Sequence, residues 1–144
     1  VMELFRNCKD CDKVDLRKKS GLNEIVRGEI DDFVFDPMGY SLNSIDGNRY
    51  FTIHITPESD GSYISFETNA FDKESQVEWA KKVLKVFKPM SFDLVLFNNE
   101  KIQKPDFHGF ILKRQFAENL KIGYETQYYS YYLPNDQEQS PTKF

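Results

Sequence analysis

Between Phe35 and Asn69 the chain places a serine, a histidine and a glutamate, Ser41, His54 and Glu58, along what reads as a meander of strands. Histidine is the side chain best suited to exchange protons near neutral pH. A carboxylate accepts hydrogen bonds from two vicinal hydroxyls, such as those of a ribose, and an aromatic such as Phe35 offers a face on which a base can stack. A bland reading stands beside this one. A strand histidine is often only a satisfied core or edge residue, and a serine–histidine pair lacking an orienting acid is a weak hydrolase signature. No G-x-S-x-G elbow surrounds Ser41. Taken by type and spacing, these residues describe a ligand site on a sheet.

The elements that must position them follow from the pattern. Gly39 to Ser44 and Tyr50 to Thr56 read as strands joined across Asp46-Gly47, a strong tight-turn pair. With that turn Ser41 lies opposite Thr52, and His54 becomes its diagonal neighbour on the same face, with Cβ atoms about 7–8 Å apart. Glu58 follows just past Pro57, where the chain turns. Ser62 to Thr68 is the next strand, reached through Ser59-Asp60-Gly61.

Upstream, Val1 to Phe5 resembles the last turn of an amphipathic helix, and the absence of an initial Met reads as a piece of a longer polypeptide. Asn7 to Lys19 is charged and aperiodic, predicting a mobile surface loop. Ser20 is expected to cap a helical turn holding Leu22, Ile25 and Val26, ended by Gly28. Ile30 to Phe35 reads as extended. Downstream, Asp72 is the expected N-cap of a helix running to about Lys88 and closed by Pro89. Its apolar stripe is Val77, Ala80, Leu84 and Phe87, with Val83 beside it. Trp79 falls outside the stripe's centre and is expected at a partly exposed edge. Ser91 to Phe97 reads as a strand, and Phe107 to Gln115 with Ile122 to Leu133 as a further antiparallel pair. Tyr124, Tyr128 and Tyr132 then share one face of the last strand, with Tyr129 and Tyr131 on the other. Residues 1–133 show no repeat and no domain boundary, and 134–144 read as a polar flexible tail. Strands, one long helix, then more strands predict an α+β fold, an antiparallel sheet with a helix packed on its outer face. Such a sheet has a second face that needs cover from elsewhere.

The composition excludes several classes. At 144 residues the chain can bury a genuine core, and 40% hydrophobic with 29% charged residues describes a globular protein. The 13 Phe and 8 Tyr favour sheet. A formal charge of −4 provides no broad basic surface for a phosphate backbone, so nucleic acid is not an expected partner. No apolar run is long enough for a membrane span, no signal peptide opens the chain, and a cytoplasmic location is expected. Cys8 and Cys11 form a lone CxxC in a polar stretch, and ordinary reduced thiols with no metal are expected.

The words FDPMGYSLN, YFTIHITPE and SYISFETN, in this order and spacing, strongly resemble eukaryotic S-adenosylmethionine decarboxylase. The likeness continues through KKVLKVFKPMSFDLVLF and reaches back to VMELF and SGLNEIV, so it covers nearly the whole chain. It corresponds to the C-terminal half of the family's proenzyme. The resemblance implies half of a four-layer αββα sandwich, whose other half supplies the second sheet. It implies that Ser41 and His54 assist self-processing, the histidine also standing close to the reacting substrate. By the same resemblance Phe35 is one of two aromatics that sandwich the adenine, and Glu58 binds the ribose hydroxyls. Glu67 and Phe97 match positions near the putrescine site that some members use for activation.

The family's reaction converts S-adenosylmethionine to its decarboxylated form for spermidine and spermine synthesis. It depends on a pyruvoyl group made by self-cleavage at a Glu-Ser-Ser site, which serves as electron sink for the pair left by carbon dioxide. This chain contains Glu58-Ser59-Asp60 and Glu74-Ser75-Gln76 but no Glu-Ser-Ser. Alone it is therefore expected to be inactive. The implied partners are S-adenosylmethionine, putrescine in some members, and the N-terminal half (β chain) of the same proenzyme, with a homodimer left open. An inactive relative that binds or regulates an active enzyme is the alternative, and a β-rich interaction domain sharing only the sandwich core is a third.

Overall fold

The computed structural model describes residues 1–70, 76–99 and 102–134. Asp72, expected as a helix cap, and the tail beyond Pro134 lie outside them. The chain forms two compact units, Val1–Phe87 and Lys88–Phe144. None of the described helices is long and apolar enough to cross a membrane.

The first unit opens with α1 (Met2–Arg6), a short helix with Glu3 in its first turn and Arg6 in its last, as the helix dipole favours. A second helix, α2 (Lys13–Ser20), occupies the stretch expected to be a loop. Only Leu16 and Ser20 of α2 are buried, so no apolar stripe is legible in its sequence. Its ends supply what the stripe lacks. Asp12 accepts a hydrogen bond from the Asp15 amide at 2.9 Å, Gly21 closes the helix in the left-handed conformation, and Lys19 pairs with Asp15 at 2.6 Å. Ser20 is thus the last residue of α2 and not a cap. A 3₁₀ turn, Leu22–Glu24, follows, and Leu22, Ile25 and Val26 enter the core as expected.

Cys8 and Cys11 are joined in a disulfide, their Cα atoms 5.1 Å apart, and are not the free thiols expected. The short link between the C-cap of α1 (Asn7) and the N-cap of α2 (Asp12) doubles back and brings the two side chains together.

Four antiparallel strands then meander in order: β1 (Glu29–Val34), β2 (Tyr40–Asp46), β3 (Arg49–Thr56) and β4 (Tyr63–Thr68). Gly28, at the entry to β1, has φ 83° and packs against β2, where a Cβ would run into the Ile45 carbonyl. The β2–β3 hairpin closes on the pair Asp46–Arg49, so its turn is Gly47-Asn48, one residue later than expected. Gly47 takes φ 65°, the positive value a II′ turn requires at its first central position.

Helix α3 (Gln76–Phe87) completes the unit. Its inward face is Trp79, Val83, Val86 and Phe87, which join the core formed by Phe5, Leu16, Leu22, Ile25, Leu42, Phe51, Ile53 and Ile55. Trp79, expected at an exposed edge, is 3% exposed and packs its ring 5.4 Å from that of Phe51. Phe87 and Val83 of the expected stripe do join the core, but the buried face is rotated toward Trp79 and Val86. A large ring beneath the Arg27 and Lys82 cations, 5.4 and 4.7 Å from its centroid, anchors the helix instead.

The second unit is a three-stranded antiparallel sheet, β5 (Ser91–Asn98), β6 (Ile111–Asn119) and β7 (Glu125–Tyr132), with β7 in the middle. Gln127, Tyr129 and Tyr131 are buried on one face of β7, and Tyr128 and Tyr132 lie on the other, as the alternation predicts. Tyr124 sits outside the strand. Phe107 belongs to a turn rather than to β6, the Phe110 amide donating to its carbonyl at 3.0 Å. It closes a cluster in which Phe92 stacks on Tyr131 at 5.0 Å, with Phe107 and Phe110 edge-on. The Tyr131 hydroxyl donates to the Pro105 carbonyl at 2.6 Å.

Candidate functional site

Strand alternation divides the β1–β4 sheet into two faces. Leu42, Phe51, Ile53 and Ile55 point into the core, while Phe33, Ser41, Asn43, Thr52, His54, Ser65 and Glu67 share the opposite face. Moving the hairpin turn by one residue moves every cross-strand partner by two, so the expected face is kept and the expected neighbour changes. Ser41 lies directly opposite His54, not diagonal to it, and Phe33 and Ser65 extend the same row across all four strands.

Direct opposition brings the pair into contact. Ser41 Oγ and His54 Nδ1 are 3.0 Å apart in a side-chain hydrogen bond. When Nδ1 carries no proton the hydroxyl donates to it, leaving the far nitrogen of the ring directed away from the serine. Next to this pair the Thr52 hydroxyl donates to the Asn43 side-chain oxygen at 3.0 Å. His54 is exposed, Ser41 half-buried, and both are accessible from the open face.

Phe35 stands just beyond β1, where its amide donates to the Gly39 carbonyl at 3.0 Å and continues the β1–β2 ladder. Its ring is 46% exposed and meets Phe33 edge-on at 4.9 Å. The two rings form an aromatic wall at the end of the row that holds Ser41 and His54. Pro57, the residue after β3, is fully buried, so the chain leaves the strand with Glu58 on the exposed side. Glu67 is exposed on β4 opposite Thr52. Phe97 is 57% exposed on β5, in the other unit. Among the described residues, no group of three or more His, Cys, Asp or Glu could hold a metal ion.

Asp32, on the inward face behind the candidate site, is a buried carboxylate that sequence reasoning did not single out. It occupies an inward position of β1, between Ile30 and Val34, where an apolar residue is the rule. The Tyr40 hydroxyl donates to its carboxylate at 2.6 Å, Arg17 of α2 pairs with the same oxygen, and Lys13 reaches the other at 3.2 Å. Burial by itself would raise the Asp32 pKa, but the hydrogen bonds from Tyr40, Arg17 and Lys13 outweigh it and hold the carboxyl below its ordinary value. Burial and the neighbouring carboxylate together push the Tyr40 phenol well above its usual range. The signal in the sequence was a carboxylate out of phase with an apolar alternation, downstream of the basic run Arg17-Lys18-Lys19.

The profile of the adenosylmethionine decarboxylase family matches residues 3–138. The chain belongs to that family. Curated adenosylmethionine decarboxylase relatives include the S-adenosylmethionine decarboxylase proenzyme of Onchocerca volvulus, 45% identical over 104 residues that cover 69% of this chain and 28% of the relative. The Drosophila melanogaster proenzyme is 43% identical over 102 residues, covering 69% and 29%. The solved structure of the Trypanosoma brucei AdoMetDC-delta26 monomer superimposes with a TM-score of 0.73 at 26% identity, covering 85% of this chain and 54% of that one. The chain thus spans less than a third of the length of these curated relatives and about half of that structure. The α+β sandwich architecture expected from the resemblance is the one found in this adenosylmethionine decarboxylase neighbour.

Proposed function

We propose that residues 1–133 form the C-terminal repeat of an S-adenosylmethionine decarboxylase proenzyme, acting in the cytoplasm in spermidine and spermine synthesis. In this reading the open face of the β1–β4 sheet is one wall of the active site, completed by the N-terminal half of the same protein. The observation that carries it is the Ser41–His54 hydrogen bond of 3.0 Å, standing on an accessible face beside the Phe33–Phe35 aromatic pair. Phe35 stacks on the adenine and Glu58 accepts from the ribose hydroxyls. Glu67 in the first unit and, taken separately, Phe97 in the second are the candidates for contact with putrescine.

The residues present suit a pyruvoyl-bearing partner segment: a hydroxyl and an imidazole in contact, on a face free to receive it. When joined, that group supplies the electron sink that decarboxylation needs. What this chain contributes is binding and proton handling. His54 takes the proton from the Ser41 hydroxyl or passes one to a substrate atom above the sheet, and the serine orients the ring. The aromatic wall keeps water from the base, and the carboxylate selects a ribose.

The test is calorimetric binding of an adenosine analogue bearing a sulfonium side chain to the full-length parent protein. Phe35→Ala and Glu58→Gln are each expected to weaken it about tenfold, the loss of one stacking face or one charged hydrogen-bond acceptor. Unchanged affinity in both variants contradicts the nucleoside assignment.

A further inference from the structure

The turn that carries Glu58 is held from outside the sheet by one side chain. Arg6, the last residue of α1, donates from Nε to the Pro57 carbonyl at 2.9 Å. One terminal nitrogen donates to the Glu58 carbonyl at 2.6 Å and reaches the Ser62 hydroxyl at 3.3 Å, while the other pairs with Glu3 at 2.7 Å. Ser62 in turn donates to the same Glu58 carbonyl at 3.0 Å. A planar guanidinium with its donors on both sides of a turn fixes that turn's plane as well as its position, which a single-point contact from lysine would not do. The anchor is firm at both ends: Phe5, the preceding residue, is buried against Tyr40 with rings 5.3 Å apart, and Pro57 is fully buried.

We propose that Arg6 is a positioning residue for the ribose subsite, acting through the backbone of Glu58. This rests on the reading of Glu58 as the ribose-binding carboxylate and adds the device that orients it. The Glu58 side chain is exposed and leaves the sheet after the last ladder residue, so strand pairing alone does not fix its direction. The clamp on its own carbonyl and on that of Pro57 restricts the backbone dihedrals that aim the carboxylate. Loss of Arg6 leaves the carboxylate chemically intact but spreads it over more orientations, so the effect falls on substrate binding more than on the chemical step.

The experiment measures kcat and KM in the full-length parent for Arg6→Gln, Glu58→Gln and the double variant. Alongside, it measures the affinity ratio between an adenosine sulfonium analogue and its 2′-deoxy counterpart. Arg6→Gln is expected to raise KM about tenfold with kcat within about twofold, and to lower the preference for ribose by a similar factor. In the Glu58→Gln background it should add less than about twofold, because both changes act on one contact. Additive effects, or an intact ribose preference in Arg6→Gln, overturn the proposal. If Glu58→Gln itself changes nothing, the ribose reading falls and this inference with it. If Glu58→Gln weakens binding while Arg6→Gln does not, only the inference about Arg6 falls. Should Arg6→Gln fail to fold, Ser62→Ala loosens the same Glu58 carbonyl at an exposed position. It is expected to shift the same readouts roughly two- to threefold, and no shift overturns the proposal.

Discussion

The two faces of the β1–β4 sheet are built from alternate residues of the same strands and do different things. On the inward face Leu42, Phe51, Ile53 and Ile55 are sealed against α1, α2 and α3. Its buried carboxylate, Asp32, is held by Tyr40, Arg17 and Lys13. On the outward face polar pairs, Ser41 with His54 and Asn43 with Thr52, are spaced among exposed Phe33, Ile45, Tyr50 and Tyr63. The sealed core and the proposed site are thus encoded one residue apart. Asp32 and Tyr40, which tie α2 to the sheet, are the chain neighbours of Phe33 and Ser41, so the buried network holds the backbone from which the site residues project.

This contrast can be broken most severely at Asp32. Asp32→Ala leaves Arg17 and the Tyr40 hydroxyl without their shared partner and is expected to cost about 4 kcal/mol of stability at neutral pH, read by denaturant unfolding. The penalty carries a pH signature. Because the folded pKa of Asp32 lies below its ordinary value of 3.8, the native contribution is complete above that value and is lost as pH falls through the lower folded value. The gap between wild type and variant should therefore narrow only below about pH 4. A gap that persists undiminished in acid would mean that the carboxylate's charge is not what stabilises the unit.

The next largest effect compares two isoleucines. Ile53 is 0% exposed and Ile45 is 63% exposed, on opposite faces. Ile53→Ala is expected to destabilise by about 3 kcal/mol, and Ile45→Ala in the same isolated chain by less than about 0.5 kcal/mol. Repeating Ile45→Ala in the proposed full-length parent sharpens the comparison: a cost that appears only there would identify the outward face as one covered by the proposed N-terminal half. Equal small costs in both settings would leave that face open to solvent.

Much of this fold was legible because alternation and turn chemistry are local. Most of the strands, the shared face of Ser41 and His54, and the separation of Tyr129 and Tyr131 from Tyr128 and Tyr132 all followed from period-two patterning. The direct opposition of Ser41 and His54 did not. It depends on whether Asp46 or Gly47 takes the first turn position, and both dipeptides suit a hairpin. Helix α2 was missed since its caps, not an apolar stripe, hold it. Trp79 was misplaced because its burial is decided by Phe51 across the core. Arg6 was invisible for a different reason: its partners Pro57, Glu58 and Ser62 lie far along the chain, and nothing in the spacing of an arginine announces a contact that only the fold creates. Asp32 left a trace, a carboxylate out of phase with an apolar alternation, but its spacing did not name Tyr40, Arg17 and Lys13 as its partners.

The central claim is that the hydrogen-bonded Ser41–His54 pair on the outward face moves protons in an adenosylmethionine decarboxylase. The most direct test is the rate of self-cleavage and the subsequent kcat of full-length His54→Ala. The pair's role predicts a fall of at least about a hundredfold in one or both, the usual range for a lost proton-transfer group. Processing and turnover both at wild-type rates would contradict it.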